Sequence, residues 1–466
     1  MKKLLPASLV LALAAPFSLQ GYAQTTAPIS PPSDIKALKQ EIQAMRSDYE
    51  VRLQAMEQRL KAAEAAAASS AASAAVTPAA TPAATPTANT PSTGTNSLNP
   101  AISLILSGNY ARTSRDPASS AITGFHLPKD AAVGLGTRGF SLAETELGLS
   151  ASIDPWLRGA ASISLHGDNT LSVEEAFVQT TSLGQGFTLK AGRFFSGIGY
   201  LNAQHAHTWD FVDNPLAYQA MLGTQYGDDG LQLKWLAPTE QFLQLGVELG
   251  RGRSFPGSDT SRNGAGMVTL TAHTGGDVGD SHSWRTGLSL LNAKATQQQL
   301  IASDASGNSL AHDFSGSTRV VVADAVWKWA PNGNATRTYF KLQGEYVQST
   351  RSGSLAYDVA GSNLQGDYRA VQSGWYLQGV YQLMPSWRVG VRTEQLNTGT
   401  AQLSAAQLAG SSYKPGKNTL MLDYNPSEFS RVRLQFARDK ARQGFTDNQL
   451  ILQYQMSLGA HGAHAY

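Results

Sequence analysis

From about residue 101 onward, apolar and polar side chains alternate one by one. A period of two belongs to extended strands, whose successive side chains point to opposite faces. Thr145, Leu147, Leu149, Ala151 and Ile153 alternate with Glu144, Glu146, Ser150 and Ser152. Leu243, Leu245, Val247 and Leu249 oppose Gln244 and Glu248, and Val432, Leu434 and Phe436 oppose Arg431, Arg433 and Gln435. Sixteen such segments are predicted, at about 101–111, 140–153, 156–166, 171–181, 187–195, 222–236, 241–251, 265–273, 283–295, 318–329, 336–348, 372–383, 387–397, 418–424, 429–439 and 447–458. Each is about ten residues, the length that crosses a bilayer when tilted. In 171–181 the phase conflicts, because Val173 and Phe177 favour one face while Ala176 and Val178 favour the other.

The connections also alternate. Asp154-Pro155, Ala237-Pro238-Thr239, Pro331-Asn332-Gly333, Met384-Pro385-Ser386 and Asn425-Pro426 are short turns. Between them lie the long segments 112–139, 196–221, 252–264, 296–317, 349–371 and 398–417. Short turns at one end, long loops at the other and an even strand count are the plan of an outer-membrane barrel. A single amphipathic strand would also suit a sandwich, but a sandwich has no reason to alternate its loop lengths. The fold class expected is an all-β transmembrane barrel of about 16 antiparallel strands over 100–466.

Composition agrees. Charged residues are 15% of the 466, against about 25% in a typical soluble chain. The formal net charge of +2 carries no nucleic-acid footprint. With no cysteine, disulfides, thiolate catalysis and cysteine-ligated zinc are excluded. No apolar run beyond the N-terminus reaches the length of a membrane-spanning helix.

Four segments are expected ahead of the barrel. Residues 1–23 read as a signal peptide, with Lys2 and Lys3, an apolar stretch from Leu4 to Ala15 and a Gly21-Tyr22-Ala23 cleavage site. Residues 24–33 are a polar leader. In 34–64, Ile35, Leu38, Ile42, Met45, Tyr49, Leu53, Met56, Leu60 and Ala63 trace a coiled-coil seam with one stutter. Residues 65–99 form a disordered Ala/Thr/Pro-rich linker.

Sixteen strands enclose a lumen wide enough for water. The inward phases nominate Arg158, Lys190, Lys234, Lys328, Lys341, Glu345, Arg388, Arg392, Glu394, Arg431 and Arg433 as pore lining. The wall is nearly charge-balanced, with a small basic surplus, and opposed charges orient polar solutes. The segment 196–221 is more apolar than a solvent-facing loop needs to be. It is expected to fold inward and constrict the pore through Tyr200, His205, His207, Trp209, Asp210 and Asp213. His205, His207 and Asp210 have the donor chemistry to ligate a metal such as zinc. The bland alternative is that these histidines only hydrogen-bond the wall. His461 and His464 are a second candidate pair. No Gly-x-Ser-x-Gly, phosphate-binding loop or His-Glu-x-x-His is present, so no enzyme and no cofactor are expected.

Asn99-Pro100-Ala101-Ile102-Ser103-Leu104, LKAGRFFSGIGYLN at 189–202 and the terminal SLGAHGAHAY resemble a group of proteobacterial porin-like outer-membrane proteins. LKAGRFF before a Gly-rich constriction also resembles the phosphate-selective porin O and P superfamily, which implies a sixteen-stranded trimer. Signal peptide, coiled coil and barrel in series are similar to siderophore porins. Some relatives carry the label of zinc-regulated outer-membrane receptors. Here coiled coil and tether stand where such receptors carry a folded plug, which speaks against energised transport.

The expectation is an outer-membrane porin for diffusion of small hydrophilic solutes or ions, constricted by 196–221. It would be a homotrimer through its periplasmic coiled coil, in contact with lipid bilayer, lipopolysaccharide and the barrel-assembly machinery. The alternatives are a substrate-specific uptake porin for a metal ion or chelate, zinc or siderophore, and an envelope-spacing protein with a closed barrel and a peptidoglycan contact.

Overall fold

The computed structural model describes residues 100–117, 120–129, 131, 133–181, 183–261, 263–303, 309–405 and 411–459. The expected signal peptide, leader, coiled coil and linker, and His461 and His464, lie outside them.

The strands are β1 (Ala101–Thr113), β2 (Gly139–Leu142 continued by Thr145–Ser152), β3 (Leu157–Leu165) and β4 (Leu171–Thr180). Next come β5 (Phe187–Phe195), β6 (Gly227–Leu236), β7 (Phe242–Gly250) and β8 (Met267–Val278). Then follow β9 (His282–Ser303), β10 (Ser309–Trp329), β11 (Tyr339–Tyr357) and β12 (Leu364–Met384). The last are β13 (Trp387–Leu403), β14 (Gly416–Ser427), β15 (Ser430–Lys440) and β16 (Asp447–Gly459). Each pairs antiparallel with the next. β16 returns to β1 from Ser103↔Gly459 to Thr113↔Gln449. The ladder thus closes as a 16-stranded antiparallel barrel among the described residues, and closure removes the unpaired edges that lipid would not tolerate. No described helix is long and apolar enough to cross a membrane.

The alternation read from sequence is an inside-out one. Leu245, Val247 and Leu249 of β7, Leu420 and Leu422 of β14, and Leu450, Leu452 and Met456 of β16 are exposed on the outer face. Their neighbours Glu248, Thr419, Asp423, Gln449 and Gln453 are buried inside. A water-facing barrel would expose these leucines at a large hydrophobic cost, whereas lipid takes them without penalty. At the short-turn end, outward rings pack across strands: Trp387 lies 4.7 Å from Tyr424 in a tilted pair, and Trp327 lies 5.8 Å from Phe340 edge to face. Such a row is the aromatic girdle of a membrane interface.

The phase conflict in β4 resolves into a bulge. Ser162 pairs with Glu175 and Ile163 with Val173, so Glu174 is the extra residue at the register shift. One inserted residue flips the alternation, as a β-bulge must. Glu174 and Glu175 therefore reach the same inner site.

Several predicted loops are shorter than the sequence suggests. Much of 296–317, 349–371 and 398–417 is strand, because β9 to β13 run for 22, 21, 19, 21 and 17 residues. β3 to β7 run for only nine or ten. In the extensions the outward positions turn polar, as at Gln297 and Gln299, while Leu300, Phe314, Leu355, Tyr368 and Leu403 form a second buried apolar cluster inside. The outward apolar row ends there although the backbone ladder continues. The predicted strand 222–236 begins later, at Gly227, since 216–222 is helical.

Candidate functional site: a loop held inside the barrel

The connection from β5 to β6, residues 196–226, turns into the lumen. Its α-helix, α1 (Leu216–Leu222), starts after Pro215 and stops at Gly223, which takes a left-handed φ of 64°. All seven helical residues are buried. Ile198, Leu216, Tyr218, Met221 and Leu222 pack on an inward apolar stripe of Leu291, Val320, Val322, Val347, Tyr376 and Leu396 from β9 to β13. Ile122, Phe125 and Leu127 of the first long loop complete this core. Leu127-Pro128 also bridges onto β9 at Ile301 and Leu300. Helix α1 is too short to persist alone in water, so this packing holds it.

Polar contacts fix the loop along its length. Glu345 accepts from the amides of Tyr200 at 3.3 Å and Leu201 at 3.0 Å, and from the hydroxyls of Tyr218 at 2.8 Å and Tyr376 at 2.6 Å. Glu248 accepts from Ser196 Oγ at 2.5 Å and Gly197 N at 2.8 Å. Glu394 accepts from Leu216 N. Gly199 is required: its φ is 67°, and a Cβ there would stand 2.3 Å from Glu345 Oε2.

Two ionic anchors of opposite sense sit on either side of Trp209. In the acid anchor the loop supplies the carboxylates. Asp210 meets Lys341 Nζ at 2.5 Å and Arg388 Nη1 at 3.5 Å. Asp213 meets Lys417 Nζ at 2.5 Å and Arg392 Nη2 at 2.9 Å. Arg433, itself held by Asp423 at 2.7 Å, donates to Trp209 O at 3.0 Å. Burial alone would raise both loop carboxyls, but Lys341 and Arg388 outweigh it and lower Asp210 to about 2. Lys417 and Arg392 likewise hold Asp213 below the usual carboxylate range.

In the histidine anchor the wall supplies the carboxylates. His205 Nδ1 lies 3.3 Å from Glu146 Oε2 and 3.2 Å from Glu174 Oε2, and its Nε2 lies 3.1 Å from Glu175 Oε2. His207 Nδ1 lies 2.9 Å from the same Glu146 Oε2. Ser162 Oγ donates to Glu146 Oε1 at 2.6 Å. Burial disfavours charge on His205, yet its hydrogen bonds to Glu146, Glu174 and Glu175 lift it well above the ordinary imidazole value.

The structure redistributes the residues nominated from sequence. Asp210 is not beside His205 and His207: its carboxylate is committed to Lys341 and Arg388, and Glu146 faces the imidazoles instead. Glu345, Arg392, Glu394 and Arg433 do not line open space. They are at most 3% exposed, because the loop covers them. Arg158, Tyr200, His205, His207, Lys328, Lys341 and Arg431 do line a cavity of about 630 Å³ that reaches the β14–β15 turn at the short-turn end. Lys234 lines a second cavity of about 550 Å³ at that end. Lys190 sits 4.0 Å over the Phe177 ring, and Arg285 lies 5.4 Å over the Tyr200 ring. Arg388 is taken up by Asp423 and Asp210, and Trp209 donates its indole N–H to Gln204 O at 2.9 Å. Glu174 and Glu175 were missed. Their signal was the broken alternation of β4, which reads as ambiguity until the bulge is seen.

An uncharacterised protein of Aquifex aeolicus (strain VF5) is 30% identical over an alignment of 355 residues that covers 71% of this chain and 70% of that protein. The chain belongs to that protein's family. No family model matches it. Among solved structures, a loop-deleted OmpT, an outer membrane protein of Vibrio cholerae, is 9% identical with a TM-score of 0.47, over 77% of this chain and 99% of that one. OprB of Pseudomonas putida is 14% identical at 0.47, over 77% and 94%. The outer membrane channel DcaP of Acinetobacter baumannii is 12% identical at 0.46, over 77% and 97%. At these scores the likeness is too remote to carry function across.

Proposed function

We propose that the chain is an outer-membrane porin of restricted bore, passing small hydrophilic solutes with a preference for anions. The observation that carries this is how the loop divides the charges of the wall. It takes up the carboxylates Glu146, Glu174, Glu175, Glu248, Glu345 and Glu394. Arg158, Lys328, Lys341 and Arg431 line the cavity beside the carboxylate Glu428. A cavity in which one sign of charge predominates raises the local concentration of the opposite ion. The short-turn end would face the periplasm, as in single-chain bacterial barrels. The expected homotrimer, coiled-coil clamp, lipopolysaccharide belt, assembly-machinery and peptidoglycan contacts go with this reading as proposals, the trimer checked by cross-linking the purified protein.

The test is single-channel recording in a planar bilayer under a tenfold salt gradient. Stepwise openings with an anion-signed reversal potential are expected. Arg158→Glu should move that potential toward the cation side. No openings at any voltage would refute the reading and favour the envelope-spacing alternative. Uptake of a metal ion or chelate draws support from the two imidazoles on the cavity wall. It would be distinguished by a current that one such solute blocks saturably.

A further inference from the structure

We propose that Glu146, His205 and His207, with water as a fourth donor, form a site for one zinc-class divalent ion that clamps the inner loop to β2. The inference stands on the loop's geometry and holds whether or not the barrel conducts. The Nδ1 atoms of both histidines converge on Glu146 Oε2, at 3.3 and 2.9 Å. Glu174 Oε2 lies 3.2 Å from His205 Nδ1. Donors placed about 2.0–2.1 Å from a tetrahedral ion stand about 3.3 Å from one another. The separations of both histidines from Glu146 are therefore already close to those of a ligand shell. Two imidazoles and one carboxylate are a mixed N/O set that suits zinc and its neighbours rather than calcium or magnesium.

The outer contacts are also those of a metal centre. The far nitrogen of His205 lies 3.1 Å from Glu175, the carboxylate–histidine arrangement that fixes the tautomer of a ligating ring. Ser162 orients Glu146 through its other oxygen at 2.6 Å. A separate observation also favours cation binding here. Glu144 joins Glu146 and Glu174 in an overlapping triad, and its buried Oε1 has no hydrogen-bond partner. Four carboxylates thus crowd two imidazoles, and a buried negative excess is costly unless a cation offsets it.

The test uses the full chain in detergent, stripped with chelator and titrated with zinc alone and, separately, with cobalt(II). One ion per chain is expected, with at least about tenfold weaker uptake in Glu146→Gln, His207→Ala and Glu175→Gln. Uptake should be unchanged in a chain carrying both His461→Ala and His464→Ala. Zinc-edge absorption on the unmodified chain needs no variant to fold. It should report two nitrogen and two oxygen neighbours at about 2.0–2.1 Å. No uptake by the unmodified chain overturns the proposal. So does uptake that survives both Glu146→Gln and His207→Ala, or a shell of six oxygens. Bilayer conductance of the same preparation is read separately, so the site and the channel fail independently.

Discussion

The two ends of the 205–213 segment are tied down by opposite arrangements of the same chemistry. At Asp210 and Asp213 the loop brings anions to a wall of Lys341, Arg388, Arg392 and Lys417. At His205 and His207 it brings imidazoles to a wall of Glu146, Glu174 and Glu175. The acid anchor is permanently charged near neutrality, and its charges are matched in place. The histidine anchor carries an excess of carboxylate and depends on a proton or another cation for balance. One end of the loop is therefore a fixed support, and the other is open to exchange.

The largest effect is expected from breaking the fixed support. Asp213→Ala takes their shared partner from Arg392 and Lys417, each 1% exposed, and leaves them to Glu394 at 3.1 Å and Asp439 at 3.7 Å. Loss of one partner from such a pair costs about 3–5 kcal/mol. The heat-induced shift on a denaturing gel should fall to lower temperature, and conductance should rise as the loop leaves the lumen. Equal losses in Asp213→Ala and Glu146→Ala would erase the asymmetry.

Acid should attack the same support, and late. Asp210 and Asp213 are depressed in the folded chain. Their contribution is fully present above the unfolded value of about 3.9 and is lost as pH falls through the folded value, about 2 for Asp210. Pepsin should spare 209–222 at pH 4 and cut it near pH 2. Cutting at pH 4 would mean that the anchor is not formed.

A smaller loss is expected where the loop enters. Gly199→Ala must hold a side chain at φ 67° against Glu345, and the left-handed backbone alone costs about 1–2 kcal/mol. Its thermal midpoint should fall below that of the unmodified barrel. The mildest change is Ser162→Ala, which removes one 2.6 Å hydrogen bond to Glu146. About 0.5–1.5 kcal/mol is expected, read as faster exchange of amides 200–208 with those of 210–222 unchanged.

The barrel was legible because lipid imposes a simple code. Leu450, Leu452 and Met456 had to face outward, and Gln449 and Gln453 inward. That rule follows from period two and needs no knowledge of neighbours. The inward bend of 196–221 was legible for a related reason, since Tyr200, Trp209, Phe211 and Tyr218 are too apolar for a loop in water. Pairings inside were not. Asp210 was matched to His205 and His207 because they are near in sequence, yet side chains 131 and 178 residues away claim it: its partners are Lys341 and Arg388. The valines at 320 and 322 read as ordinary strand residues, not as the seat of α1.

Sequence alone determined that the chain closes as sixteen strands with lipid outside and polar groups inside. The alternation of single side chains with single faces is a local property of extended backbone. Only the tertiary structure decided which charges meet. Barrel closure sets β2 and β4 beside one end of the loop and β11 to β15 beside the other, and a partner chosen across the lumen leaves no trace in spacing along the chain.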